Sequence, residues 1–348
     1  MNSIHKLKVK HVAFTDNLGG ASRAAFRIHK SLCKFKNELN LNSDMRVIKK
    51  FSDEDSIKGG PANDNYFRYY LQKLLNKSFR KLYNSTNPNY FSVPYPSTGL
   101  GKELNKDFEK KKFDILNLHW LGDSTLSVKE IGNLNMPLTW RLADQWAFCG
   151  CEHYSENNYR NDPNIKEKYI TGYSSKFNNF PYIDLNKLFW DKKIKYWKNP
   201  INLIAPTRWI ADCAKKSILF KNSFISVIPT PLDLEKWSPL GKSFSKNLLG
   251  IDPKKKILLF GALGGSGDYR KGGDLLIKAL EIMNQKYNNL SKNCEIIIFG
   301  KNNNKIDIKF DMPVKNIGII KDDLLLKQYY SAADVFILPS RQDNLPGT

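Results

Sequence analysis

The sequence predicts a parallel α/β protein built as two domains. Three observations carry that reading. Short apolar runs of strand character alternate with segments of helical spacing, the pattern that gives parallel sheets covered by helices. A glycine-bearing loop twice joins such a run to a helix. The length, 348 residues, is about two domains' worth at ~150 residues each. Hydrophobic residues make up 41% and aromatics 12% of the chain, enough apolar material for real cores and too much for a disordered chain. The longest strongly apolar runs, Ile257–Phe260 and Ile296–Phe299, fall far short of the roughly 18 residues a membrane span needs.

The elements follow in order. Val9–Phe14 reads as a strand, Thr15–Gly20 as a loop, and Ala21–Phe35 as a helix with Ala24, Ala25, Ile28, Leu32 and Phe35 on one side. Residues 36–112 open with a polar Asn/Asp stretch, followed by an aromatic helix over Tyr66–Tyr83 and a Pro/Ser-rich loop over Asn84–Gly101. Phe113–Trp120 and Leu138–Leu142 read as strands around a short helix at Ser127–Asn133, and Asn202–Pro206 and Ile225–Pro229 as two more. Pro229-Thr230-Pro231 breaks the pattern and places a boundary there, giving domains 1–235 and 236–348. In the second, strands at Lys256–Phe260, Cys294–Phe299, Val314–Ile319 and Val335–Leu338 alternate with helices at Gly272–Lys286 and Asp322–Ala332. No internal repeat is evident.

Fifty-five Lys and Arg face 34 Asp and Glu, a formal charge of +21. Such a surface suits anionic partners, but the lysines are spread along the chain. No zinc-finger or RNA-recognition signature accompanies them, so no nucleic-acid partner is expected. The N-terminus lacks an apolar signal region, and five cysteines at irregular spacing make no disulfide framework. A reducing, cytoplasmic setting is expected.

In parallel sheets, ligands sit at the carboxyl ends of strands, where the chemically distinctive residues fall. Gly19 and Gly20 follow the first strand and open a helix, a geometry that lets backbone N–H groups approach a phosphate; a simple turn has the same signature. Gly261–Gly273 again joins strand to helix, and Arg270 and Lys271 stand where the helix begins. A diphosphate there would meet two cations and the helix dipole. The loop is neither a Walker A loop nor a dinucleotide fingerprint. His119 and Trp120 end one strand, and Asp144 with Trp140 and Trp146 follows another; both groups suit a sugar and equally suit ordinary packing. Cys149-x-Cys151-x-His153 has the wrong spacing for a common zinc site, so no metal is expected.

Together these segments resemble a GT-B glycosyltransferase of family 4, closest to bacterial enzymes of surface-polysaccharide synthesis. The resemblance runs from near Val9 to Thr348. It rests on Phe14–Phe26 (FTDNLGGASRAAF), Asn117–Trp120 (NLHW), Trp140–Phe148 (WRLADQWAF), Val227–Asp233 (VIPTPLD), Arg270–Gly272 (RKG) and Tyr330–Ser340 (YSAADVFILPS). It implies two Rossmann-like domains facing a cleft, the second incomplete, and retaining transfer of a sugar from a nucleotide-diphosphate donor without a metal or other cofactor. The acceptor it implies is a glycan, lipid-linked, in O-antigen or capsule synthesis. Carried over, Gly19, Gly20, Arg270 and Lys271 would bind the donor phosphates, and Asp343, Asn344 and Leu345 the donor sugar and ribose. His119 and Asp144 would be catalytic, and the basic surface would meet an anionic inner membrane.

Three positions depart from the family pattern. The family histidine falls on Ala143, an arginine position on Ala262, and the second of two glutamates beyond Thr348, the first being Asp343. The helices that close the second domain are likewise expected beyond Thr348. Weak or absent turnover and marginal stability are therefore expected of this chain. A non-catalytic relic that binds a glycan or partner, and a nucleotide-sugar epimerase, are the rival expectations.

Overall fold

A computed structural model of the chain describes residues 5–82, 91–123, 125–155, 165–174, 184–262, 269–300 and 312–345. The chain divides into two units. One is Met1–Pro231 with Asn344–Gly347, and the other is Leu232–Asp343 with Thr348.

The first unit holds a seven-stranded sheet of β1 (Leu7–Thr15), β2 (Leu41–Lys49), β3 (Ile57–Lys58), β4 (Ile115–Leu118), β5 (Leu138–Arg141), β6 (Asn202–Ala205) and β7 (Ile225–Val227). Their order is β3-β2-β1-β4-β5-β6-β7, and every pairing is parallel. The second unit holds a four-stranded parallel sheet of β8 (Lys256–Ala262), β9 (Cys294–Gly300), β10 (Val314–Gly318) and β11 (Val335–Ile337) in the order β10-β9-β8-β11. Two parallel α/β units are thus the architecture, as the alternation of runs predicts.

Burial explains the strand patterns. In β8 and β9, Ile257, Leu259, Ile297 and Phe299 pack to one side with Leu326 and Tyr329. Phe260, Ile296 and Ile298 pack to the other with Leu276 and Leu280 of the helix Gly273–Lys286. A sheet covered on both faces needs continuous apolar runs, not alternation. The first unit's core is drawn from Val12, Leu116, Leu118, Trp140 and Leu203 on its strands and from the helices around them.

Two segments depart from expectation. The stretch read as merely polar contains β2, which pairs with β1 from Leu7↔Leu41 to Thr15↔Lys49. Its buried polar residues disguise it, and each is satisfied from far along the chain: Ser43 lies 2.8 Å from His29 Nδ1, and Arg46 Nε donates to Glu103 at 2.9 Å. In the first helix, Gly20–Lys34, the buried face is Ser22, Ala24, Ala25 and His29. Phe35 lies beyond the helix end and is 42% exposed.

The helix Tyr66–Leu82 packs inward through half-buried Tyr69 and Phe79, yet its most buried residues are two amides and apolar side chains also cover its outer face. Gln72 and Asn76 face inward, where Gln72 donates to Pro96 O at 2.9 Å and Asn76 to Gln72 O at 3.1 Å. Phe67 and Leu74 face outward, 80% and 62% exposed.

Candidate active site

Ligands of open parallel sheets bind where the strand order reverses, beyond the carboxyl ends. In the first unit the reversal lies between β1 and β4, and in the second between β8 and β11. The predicted residues gather there as two separate clusters, one in each unit.

In the first unit, β1 ends in Thr15, whose hydroxyl donates to Ser22 Oγ at 2.6 Å. Asp16 is fully buried and accepts from Phe51 N, Ser52 N and Ser52 Oγ, so the loop is pinned to the end of β2. Gly19 follows at φ 89° as the N-cap of the helix Gly20–Lys34, with no side-chain cap. A Cβ at Gly20 would meet nothing within 4 Å. The helix N-terminus is therefore open to an anion.

His119 follows β4 and is fully buried. Its Nε2 lies 3.0 Å from His11 Nδ1. Burial, with His11 and Arg141 nearby, holds its pKa well below the usual histidine value, so it is a neutral, sealed imidazole. Arg141, at the end of β5, is 4% exposed and donates to Thr230 Oγ1 at 2.5 Å. Burial lowers its pKa to about 10.

Asp144 is the hub of this cluster. Its carboxylate accepts from Trp120 Nε1 at 2.9 Å, Trp146 N at 3.0 Å and His153 Nδ1 at 2.6 Å. A carboxylate only accepts, so the His153 proton sits on Nδ1, and Nε2 meets Ser92 Oγ at 2.8 Å. Asp144, Trp120, Trp146 and His153, with Leu142 and Ala143, line a cavity of about 10 Å³, about the space of one water. Asn344 belongs to the same unit and donates from Nδ2 to Leu142 O and Ala143 O at 3.0 and 3.3 Å.

Sequence reasoning missed His153 as a partner of Asp144. It finds no imidazole at Ala143, yet one arrives nine residues beyond the carboxylate through the turn that follows β5. The only signal was the Cys-x-Cys-x-His run. Its cysteines are buried and form no disulfide, and among the described residues no group of His, Cys, Asp and Glu could hold a metal. Lys193 clasps that turn, with Nζ donating to Trp146 O at 2.5 Å, Cys149 O at 2.8 Å and Gly150 O at 2.9 Å. Burial lowers its pKa to about 8, against the opposing pull of Cys151, Cys149, Glu152 and Asp144.

In the second unit, the 3-10 turn Tyr269–Lys271 leads into Gly272 and the helix Gly273–Lys286. Lys271 Nζ bonds the Asp343 carboxylate, and Arg270 Nη1 lies 3.5 Å from the same oxygen. Two cations therefore share one carboxylate at the head of a helix. The loop after β11 is fastened alongside: Arg341 N donates to Arg270 O at 2.9 Å, and its guanidinium grips Asp274 at 2.7 and 2.6 Å. Gly272 is required by this fit. It stands at φ +70°, and a Cβ there would come within 2.0 Å of Pro339 O. The loop residues 263–268 lie outside the described residues, as does the side chain of Ala262. Asp343 thus joins Arg270 and Lys271, whereas Asn344 joins the cluster of the first unit.

The sequence profile of the family described as Glycosyl transferases group 1 matches residues 254–348, the segment that carries Arg270, Lys271 and Asp343. Comparison with curated proteins gives no match. Among solved structures, sucrose-phosphate synthase from Thermosynechococcus elongatus is similar with a TM-score of 0.57 at 13% identity, over 97% of this chain and 77% of that one. Anabaena HepE in complex with UDP and glucose is similar at 0.52 and 11% identity, over 97% and 75%. A trehalose-6-phosphate protein from E. coli bound with UDP-2-fluoro glucose is similar at 0.54 and 10% identity, over 97% and 79%. At such identities the likeness is one of fold. The chain has the GT-B fold of these proteins, and its residues 254–348 carry a group 1 glycosyltransferase domain.

Proposed function

We propose that the chain moves a sugar from a nucleotide-diphosphate donor to a lipid-linked glycan, with retention of anomeric configuration, in surface-polysaccharide synthesis at the inner face of a membrane. The observation that carries the donor half is the Arg270–Lys271–Asp343 cluster. Two cations and one carboxylate gather at a sheet's switch point, beside a helix N-terminus, where a diphosphate dianion is stabilised. HepE and the E. coli protein, of the same fold, are complexed with UDP and glucose or with a UDP-sugar, which supports UDP as the first nucleotide to test.

In this reading, the bond from the anomeric carbon to the diphosphate breaks with its electron pair on the leaving oxygen. Lys271 and Arg270 neutralise the charge that builds there. The acceptor hydroxyl forms the new bond on the same face and passes its proton to the departing diphosphate oxygen. On the acceptor side, Asp144 and His153 are positioning residues. Both carboxylate oxygens are engaged, so they fix Trp120 and Trp146 as apolar walls of the kind a sugar ring packs against. Gly19 and Gly20 leave room for the acceptor or a phosphate oxygen.

Calorimetric titration with UDP tests the reading. The full chain should bind it, and Lys271→Met should weaken binding about tenfold, the scale of one charge-assisted contact. Equal affinity of the two proteins would sink it.

A further inference from the structure

We propose that the outer face of the helix Tyr66–Leu82 is a docking surface for anionic phospholipid. The proposal deepens the membrane contact above and rests on that part of the reading, but not on the sugar chemistry.

The helix is apolar on its outer face as well as its inner one, where Tyr69 and Phe79 pack against the core. Its buried positions are filled by the amides of Gln72 and Asn76, 4% and 1% exposed, while Tyr66, Phe67, Tyr70, Leu71 and Leu74 stand 55%, 80%, 61%, 43% and 62% exposed. At 100° per residue these five occupy one continuous arc, opposite the two amides. Scattered exposed apolar residues need no explanation, but a contiguous stripe marks a contact surface.

Charge identifies the occupant. The helix carries Arg68, Lys73, Lys77, Arg80 and Lys81 and no Asp or Glu. Arg80 is held by Asp123 at 3.3 Å; Lys73, Lys77 and Lys81 are exposed, and no described carboxylate pairs with them. Lys77 continues the line of Tyr66 and Tyr70 along the helix, and Lys81 that of Leu74. Aromatic and aliphatic side chains thus lead into lysines on one outward face. Protein interfaces deplete lysine at their centres. A helix lying flat in a bilayer surface uses this combination, with apolar groups among the acyl chains and ammonium groups at the phosphates. None of the described helices is long and apolar enough to cross a membrane, so the contact is one of lying on the surface.

The test is co-sedimentation of the full chain with phosphatidylcholine vesicles, with and without phosphatidylglycerol. Binding should require phosphatidylglycerol and fall with salt. The double variant Phe67→Ser/Leu74→Ser should lower the partition coefficient at least about tenfold. Lys77→Gln/Lys81→Gln should lower it about fivefold per charge. Phe224→Ser, which alters a 70% exposed aromatic elsewhere in the same unit, should leave it unchanged. All these positions are exposed, and circular dichroism confirms folding. The inference fails if the unaltered chain ignores the vesicles, or if the helix variants bind as it does. It also fails if the face proves to join two copies, shown as a dimer that Phe67→Ser dissolves. UDP affinity, measured on the same proteins, is expected to stay constant; its absence with vesicle binding intact would sink the transferase reading alone.

Discussion

Asp144 and Asp343 both stand at the carboxyl edge of a parallel sheet, one in each unit, and they are held in opposite ways. Asp144 is surrounded by an indole, a backbone amide and an imidazole, with no Lys or Arg in salt-bridge range among the described residues. Asp343 lies between Arg270 and Lys271. The first arrangement is saturated with hydrogen bonds and builds a rigid wall. The second gathers two cations about one carboxylate. One carboxylate is therefore there for shape and the other for charge, and substitutions should separate them.

The largest contrast is in acid. All five histidines lie in the first unit. Burial lowers the pKa of His11 to about 3 and of His29 to about 4, and holds that of His119 well below the usual histidine value. The unfolded chain takes up these protons near pH 6.5 and the folded unit does not, so stability is lost as pH falls from about 6.5 toward 3. At pH 5 the loss is about 2 kcal/mol for each buried neutral histidine. The second unit has no histidine. There Asp334 is held at about 2, since bonds from Lys242 and Ile257 N and the charge of Lys246 outweigh the upward push of burial. Its contribution is present above pH 4 and fades only as pH falls toward 2. Acid unfolding should therefore occur in two steps, the first unit leading. Six of the seven tryptophans report on that unit and Trp237 on the other. One coincident transition below pH 4 would erase the contrast.

Next in size is Asp144→Asn, which gives three buried donors an amide in place of a carboxylate. It should cost about 3 kcal/mol in urea unfolding without changing UDP affinity. The smallest effect belongs to Asp343→Asn. It should cost no more than about 1 kcal/mol and should tighten UDP binding, because the competing anion is gone. Weaker UDP binding in that variant would show that Asp343 orients Lys271 rather than competing for it.

Strands with apolar faces were legible because burial on both sides leaves a continuous run, as in Ile257–Phe260. β2 was not, because Ser43 and Arg46 are buried against His29 and Glu103, and no local pattern announces a partner so distant in sequence. Arg270-Lys271-Gly272 could be read as an anion site from its place between strand and helix. The resemblance put Asp343 at the same donor, but its direct pairing with the two cations could not be read, since about 70 residues intervene and only the folding of β11 beside β8 brings them together. For the helix Tyr66–Leu82, the sequence shows a helix but not which side is inward. Gln72 and Asn76 are inside because the carbonyls of Tyr95 and Pro96 are there to receive them.

Lys193 offers a further use. Its pKa of about 8 means that in mildly alkaline buffer about half of these side chains carry a free amine, the form that attacks acylating reagents. Yet the amine is fully buried beneath three carbonyls and the Trp146 ring, 4.0 Å away. It is a nucleophile behind a closed door. The rate at which Lys193 is acylated would therefore clock how often the turn from Trp146 to Gly150 opens, and the Asp144 wall with it, with no label added to the protein.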